Sequence, residues 1–322
     1  MAGIIVGIDG GGTHTTLAVS NKEGCLLGLV QGGALNFNTI GMEAFRAHLR
    51  QALEEVKRQY GPIEALSLGH SALDGEPEPG LAAEMMEGVF DLERCWIHSD
   101  VFMALMGATL GEPGVAVVAG TGAMAVGMDA GGTQHVRGGW GYLLGDTGSG
   151  FYLGRQAMEA AAAAFDGVGP HTCLEPAFLQ HFGCTDPRSA IGRIYAADYK
   201  PADMAAFAPK VLEGAAQGDT VCNVIVNESL NTLVGYADGL MRAIGRSDCA
   251  VGVFGGLFER SERYREDFTR RLQRIHPQAK VGLPQLAPYI GAVVYYFLKK
   301  NELTQQVVAN LRATAKGLQE RM

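Results

Sequence analysis

Val6-Gly7-Ile8-Asp9-Gly10-Gly11-Gly12-Thr13-His14-Thr15 decides how this chain is read. The apolar run Ile4-Ile5-Val6 leads into a lone acid, three glycines and a row of hydroxyls, and Leu17-Ala18-Val19 resumes the apolar pattern. That is strand, tight turn, strand. Glycines at such a turn let backbone N–H groups come close to an anion. Gly11, Gly12, Thr13, His14 and Thr15 are therefore candidate phosphate ligands. Asp9, at the strand end, is a candidate holder of Mg²⁺ through water, since that hard cation prefers oxygen. An ordinary glycine-rich hairpin fits the same residues.

The pattern returns once. Val115-Ala116-Val117-Val118 reads as a strand, Gly120-Thr121-Gly122 as a turn, Met124 to Met128 as a return strand and Thr133 to Val136 as a third. Thr121 and Gly122 become the second pair of candidate phosphate ligands, and the echo indicates an internal structural repeat. Between the two hairpins the chain reads strand (15–20), strand (25–31), helix (42–59), strand (65–69), helix to Phe90, strand (94–98) and a helix opening at Asp100. Phe45, Leu49, Leu53 and Val56 mark one face of the 42–59 helix at helical spacing. Gly111-Glu112-Pro113-Gly114 breaks the pattern and predicts a domain boundary.

Beyond the repeat come a loop (138–150), an Ala-rich helix (151–165) and an irregular stretch (166–200). Helices are predicted at 202–217 and 219–245, then a strand from Cys249 to Phe254 and helices at 259–275, 288–300 and 303–320. The reading is α/β, with domains at 1–113 and 114–287 and a C-terminal pair of helices, 288–322, that packs back on the first domain.

Composition narrows the function. The 322 residues are 47% hydrophobic and 19% charged, which excludes extensive disorder. The net charge is −8, and the arginines between Arg260 and Arg274 alternate with Glu259, Glu262, Glu266 and Asp267. That describes a solvated helix rather than a phosphate-backbone surface, so no nucleic-acid partner is expected. The apolar N-terminal run is too short for a signal peptide or a membrane span. Six scattered cysteines without a CxxC suit a reducing cytoplasm. His171, Cys173, His181 and Cys184 are four soft donors whose spacing matches no common zinc pattern; they read as a structural metal site or as an ordinary loop.

Taken together, Asp9-Gly10-Gly11-Gly12-Thr13, Gly120-Thr121-Gly122 and Gly255-Gly256-Leu257 resemble the two phosphate loops and the adenosine loop of the actin/hexokinase/Hsp70 superfamily. Gly138-Gly139-Trp140-Gly141 with Gly145-Asp146-Thr147-Gly148-Ser149 is similar, more narrowly, to the N-acetylglucosamine kinase and BadF/BadG/BcrA/BcrD ATPase family. Pro288-Tyr289-Ile290-Gly291-Ala292 resembles that family's C-terminal helix start.

The resemblance implies two ribonuclease H-like (actin-like ATPase) domains, each a mixed five-stranded sheet with flanking helices, around a central cleft that closes over substrate. It implies ATP and Mg²⁺ as cofactors, a homodimer, and γ-phosphoryl transfer to a hydroxyl of an amino sugar such as N-acetylglucosamine or glucosamine. Gly255, Gly256 and Leu257 would bind adenosine. Asp100 would be the catalytic base and contact the sugar; its place at a helix start also fits an N-cap. Asn36, Ser71, Trp140, Gly141 and Asp146 would line the sugar pocket.

Each of these has a plainer reading. Asn36 also fits a turn, Trp140 a packed core residue, and Thr147 and Ser149 helix caps. His70 fits a ligand contact or a satisfied structural role equally, and His98 reads as structural. One departure stands out. Ala123-Met124 follows the second hairpin turn where the sugar kinases usually carry Ser-Asn, which removes a hydroxyl and an amide beside the sugar. The competing reading is a BadF-type ATPase that activates a partner enzyme; a non-catalytic nucleotide- or sugar-binding regulator is the third.

Overall fold

A computed structural model describes residues 3–319. They form two compact units: residues up to Ala116 together with those from Pro284 onward, and Val117–Leu283.

In the first unit β1 (Ile4–Gly10), β2 (His14–Ser20) and β3 (Leu26–Gly33) make an antiparallel meander. α1 (Phe37–Ile40) and α2 (Met42–Tyr60) then return the chain to β4 (Ile63–His70), which lies parallel to β1. α3 (Pro79–Met86) leads to β5 (Cys95–Ser99), parallel to β4, and α4 (Asp100–Thr109) follows. Parallel neighbours need such crossovers. The order is β3-β2-β1-β4-β5. Ile5, Val6 and Ile8 are fully buried, as a central strand covered on both faces requires. α2 lays Phe45, Leu49, Leu53 and Val56 on this sheet, each burial contributing roughly 1.5–3 kcal/mol.

The second unit contains β6 (Gly114–Ala119), which starts in the first, and β7 (Ala123–Met128) with β8 (Gln134–Gly138) antiparallel to it. α5 (Gly141–Leu144), α6 (Gly150–Phe165), α7 (Leu174–Phe182), α8 (Ile191–Ile194), α9 (Pro201–Ala205), α10 (Ala208–Ala216) and α11 (Thr220–Ala243) come next. β9 (Ala250–Phe254), α12 (Gly256–Arg260), α13 (Glu262–Ile275) and β10 (Lys280–Gly282), parallel to β9, complete it. Its order, β10-β9-β6-β7-β8, is that of the first sheet read from the other end. The expectation of two mixed five-stranded sheets with flanking helices holds.

The chain ends back on the first unit. α14 (Pro288–Lys299) packs on β1, β4 and α4. A Cβ at Gly291 would overlap the Met103 carbonyl, and one at Gly107 the Leu286 carbonyl, so the two helices touch backbone to backbone. α15 (Gln305–Gln319) lies along β3, where Thr314 Oγ1 accepts from the Leu26 N–H at 3.0 Å.

Several predicted elements are revised. The 166–200 stretch is not irregular throughout: Leu174 and Phe178, one turn apart, bury the face of α7. The 202–217 helix is two, because Pro209 has no N–H to continue the ladder through the first turn of α10. The 259–275 helix is broken at Ser261, which is extended (φ −126°, ψ 100°) and accepts from the Tyr264 N–H to start α13. The helix expected to reach Phe90 ends at Met86.

Candidate active site

The carboxyl ends of β1, β4 and β5 deliver the polar residues of the first unit. Asp9 on β1 is in register with Gly69 on β4, and Gly69 with His98 on β5. Ligands in α/β sheets sit at such strand ends. The chain ties this edge down with backbone bonds: Ser71 N–H donates to Gly10 O at 3.2 Å and Leu35 N–H to Gly11 O at 3.0 Å. Asn36 follows Leu35. Its Nδ2 donates to Ser71 Oγ at 3.0 Å, and its Oδ1 accepts from Asn38 N–H at 3.1 Å to cap α1. Asn36 is thus a turn residue, as its plainer reading had it, and a partner of Ser71.

Two acids share this edge. Burial, then the charge of Asp100, pushes the Asp9 carboxyl up to about 6, and His14 pulls back only part of that. Burial also raises Asp100, against its bond from the Val101 N–H. Asp100 is not the N-cap. Ser99 takes that role, accepting from Phe102 N–H at 3.3 Å, and Asp100 is the first residue of α4. A pair of half-buried carboxylates, Asp9 raised by the charge of Asp100, with oxygen-only donors, fits a hydrated divalent cation, so the donor set suits Mg²⁺ at Asp9.

The hairpin tip is accessible: Gly12, Thr13 and His14 are exposed, and Thr13 Oγ1 lies 2.9 Å from His14 Nδ1. Thr15 differs. It is buried and its hydroxyl donates to Gly33 O at 2.7 Å, which leaves no proton for a phosphate. The expectation for the Thr15 hydroxyl is therefore corrected: it closes the β2–β3 pair.

Both histidines are structural. His70 is fully buried, its Nε2 is 2.7 Å from Leu35 O, its Nδ1 accepts from Ala72 N–H, and its ring stacks on Phe37 at 4.6 Å. Burial pushes His98 down to about 4, and its ring stacks on Phe102 at 3.8 Å. Burial disfavours the charged form of both rings.

In the second unit the hairpin β6–β7 anchors α6. Gly150 N–H donates to Gly120 O at 2.8 Å and Phe151 N–H to Thr121 O at 3.2 Å, and Ser149 caps the helix. A cavity of about 630 Å³ opens beside it, lined by Gly120, Thr121, Gly256 and Leu257. Ala202, Ala205, Ala206 and Ala216 form much of its wall, with Glu213 and Arg260 as charged members. The wall residues lie in stretches read as plain helix. Their clustering of alanines around Pro201 and Pro209 was the available signal. Gly255 has φ +90°, and a Cβ there would come within 2.6 Å of Ala119 O.

Asp146 is buried in the left-handed region at φ +62°, a backbone conformation that costs an ordinary residue about 1–3 kcal/mol. Its Oδ1 accepts from Ala123 N–H at 3.2 Å, and burial raises its pKa. Ala123 itself is buried, so the methyl that replaces the usual serine packs inside the second unit. Trp140 is 72% exposed, next to Gly141 and the exposed Leu143 and Leu144. A packed core role for Trp140 is excluded. The four soft donors do not gather either: His181 packs on Phe182 and Phe207, while Cys173 meets Asp219 and Cys222.

Known proteins carry the same pattern. An N-acetyl-D-glucosamine kinase of Dictyostelium discoideum is 27% identical over 310 residues, covering 90% of this chain and 97% of that protein. A glucosamine kinase of Vibrio cholerae is 28% identical over 251 residues, 77% of this chain and 83% of that one. Among solved structures, one described as a candidate N-acetylglucosamine kinase from Chromobacterium violaceum matches at TM-score 0.71 and 27% identity, covering 92% of this chain and 99% of that one. A ROK glucokinase from Streptomyces griseus shares the fold at TM-score 0.52 and 19% identity, with 92% and 99% covered. The model of the BadF/BadG/BcrA/BcrD ATPase family matches residues 6–295, which takes in both hairpins, both sheets and most of α14, and the chain belongs to that family.

Proposed function

We propose that the chain is an ATP-dependent amino-sugar kinase. The observation that carries this reading is the edge where β1, β4 and β5 end. It presents Asp9, the Asn36–Ser71 pair and Asp100 together, with both acids raised by burial. Phosphoryl transfer needs positioning and charge neutralisation more than covalent help.

In this reading the backbone of Gly11 and Gly12 with Thr13 and His14, and Thr121 with Gly122, receive the phosphates. The cavity beside Gly256 and Leu257 receives adenosine; its small side chains leave room for a flat base. Gly255 supplies the turn that brings these two to the cavity edge. Asp9 would hold Mg²⁺ through water, and that ion would supply neutralisation of phosphate charge. Asn36, Ser71, Trp140, Gly141 and Asp146 hold the sugar, the amide and carboxylate matching vicinal hydroxyls. Asp100 takes the proton of the acceptor hydroxyl as its oxygen bonds to the γ-phosphorus and the bond to the β-bridging oxygen breaks, releasing ADP. A carboxylate raised by burial is the stronger base for that step. A homodimer belongs to the same reading and rests on the family resemblance; a cytoplasmic location rests on the scattered cysteines without a CxxC.

The test is ADP release with and without N-acetylglucosamine, glucosamine and glucose. Release that depends on an amino sugar is the expected result. Sugar-independent release favours the ATPase that activates a partner, and no release favours a binding regulator.

A further inference from the structure

Cys173 and Cys222 are far apart in the chain, yet their sulfurs stand 3.9 Å apart. Both thiols are free. The separation is nearly twice an S–S bond of about 2.05 Å. It is close to the roughly 3.8 Å spanned by two sulfurs that each lie about 2.3 Å from one tetrahedral zinc. Asp219 is the third member of the group. The sulfurs and an Asp219 carboxylate oxygen all lie within 4.8 Å of one another. Among the described residues no other group of three metal-ligating side chains converges this way.

The surrounding helices are built around this point. Asp219 caps α11: its Oδ1 accepts from Cys222 N–H at 2.9 Å. Its Oδ2 accepts from Cys173 N–H at 2.8 Å and from Thr172 Oγ1 at 2.9 Å, so one carboxylate joins the starts of α7 and α11. α10 forms the third side. A Cβ on its Gly214 would fall 2.5 Å from Cys222 Sγ and 2.6 Å from Cys173 Sγ, so only glycine leaves the sulfurs room to meet.

We propose that Cys173, Cys222 and Asp219 bind one thiophilic divalent cation, zinc by its donor set, that staples the starts of α7 and α11 against α10. Two thiolates and a carboxylate around a tetrahedral centre select zinc over hard cations. Binding releases both thiol protons, one from each sulfur, and forms two Zn–S bonds; Asp219 enters already ionised. Its carboxylate is held in place by the Cys222 and Cys173 N–H groups and the Thr172 hydroxyl. The bound centre keeps one net negative charge, which the N-terminal ends of α7 and α11 favour. Cys222 is buried and Cys173 half-buried, so solvent reaches the pair on the Cys173 side and can complete the coordination. Affinity rises with pH because protons compete for the sulfurs.

The experiment is Co²⁺ titration of the full chain after chelator treatment. The expected result is a thiolate-to-cobalt charge-transfer band that saturates at one cation per chain and is bleached by zinc. Cys173→Ser should abolish the band while circular dichroism shows a folded protein, and Cys184→Ser should keep it. Asp219→Asn should weaken zinc binding at least about tenfold. The proposal is overturned if folded wild type gives no such band, or if Cys184→Ser loses it. It is equally overturned if chelator-treated protein takes up no zinc and hydrogen peroxide instead converts the pair to a disulfide, two hydrogens lighter by intact mass.

Discussion

The two units share one strand order but divide the chemistry. In the first, Asp9 is the penultimate residue of β1 and β5 is followed by Asp100, so parallel strands deliver charge. In the second, β6 ends in buried Ala119 and β9 is followed by Gly255 and Gly256, and the ends deliver space. The second unit's acid, Asp146, comes from a strained loop instead of a strand end. One half of the duplicated scaffold thus presents carboxylates at its strand ends and the other small side chains. A kinase uses both, since a base and a cation site are electrostatic devices while an adenosine site is a shape.

Breaking the charged half should cost the most. Asp100→Asn is expected to lower sugar-dependent ADP release by about 10²–10⁴-fold and to leave nucleotide affinity, measured by calorimetry, nearly unchanged. Equal turnover would remove Asp100 from the reaction.

The next effect is on stability. Asp9 has its carboxyl raised from 3.8 to about 6, so the folded protein keeps a proton that the unfolded chain has released. Its stabilising contribution is complete below about pH 4 and is lost as pH rises through about 6. Asp9→Asn should therefore stabilise the ligand-free protein above pH 6 by up to about 3 kcal/mol and raise its Tm there, with the gain vanishing near pH 4. Mg²⁺ should raise the wild-type Tm over the same upper range and do little for the variant. Thermal melts across pH with and without MgCl₂ decide this.

In the half organised around space, Gly255→Ala should cost about 1–3 kcal/mol, because alanine is strained at φ +90° and its methyl meets the Ala119 carbonyl. Urea unfolding measures the loss, and an unchanged midpoint would argue for a different local backbone. The smallest stability effect belongs to Trp140→Ala: exposed as the indole is, the change should stay within about 0.5 kcal/mol. In the proposed site it should still raise the KM for the sugar severalfold. A large fall in Tm would return Trp140 to the core.

Much of this was legible in the chain. The glycine turns, the β-branched runs and the 3.6-residue stripe of α2 are local signals, and they determined the element order, the repeat and the α/β class. The positions of Asp9, Thr13, Asp100 and Gly255 followed from those turns. What spacing could not reveal is which side chain spends its hydrogen bond on which neighbour. Thr15 reads like Thr13 in the chain, yet only the β2–β3 pairing shows its hydroxyl consumed by Gly33. Ser99 and Asp100 compete for one cap, and the backbone angles of the helix start awarded it to Ser99.

Cys173 has Cys184 as its near neighbour in sequence and Cys222 as its neighbour in space. Secondary structure arises largely from preferences within a few residues of chain, so the sequence alone determined most strands and the long helices, while α7, β10 and the helix breaks near Pro209 and at Ser261 came only with the structure. Side-chain pairing, burial and the shift of Asp9 toward neutrality arise from groups brought together across long stretches of chain, and only the tertiary structure decided them.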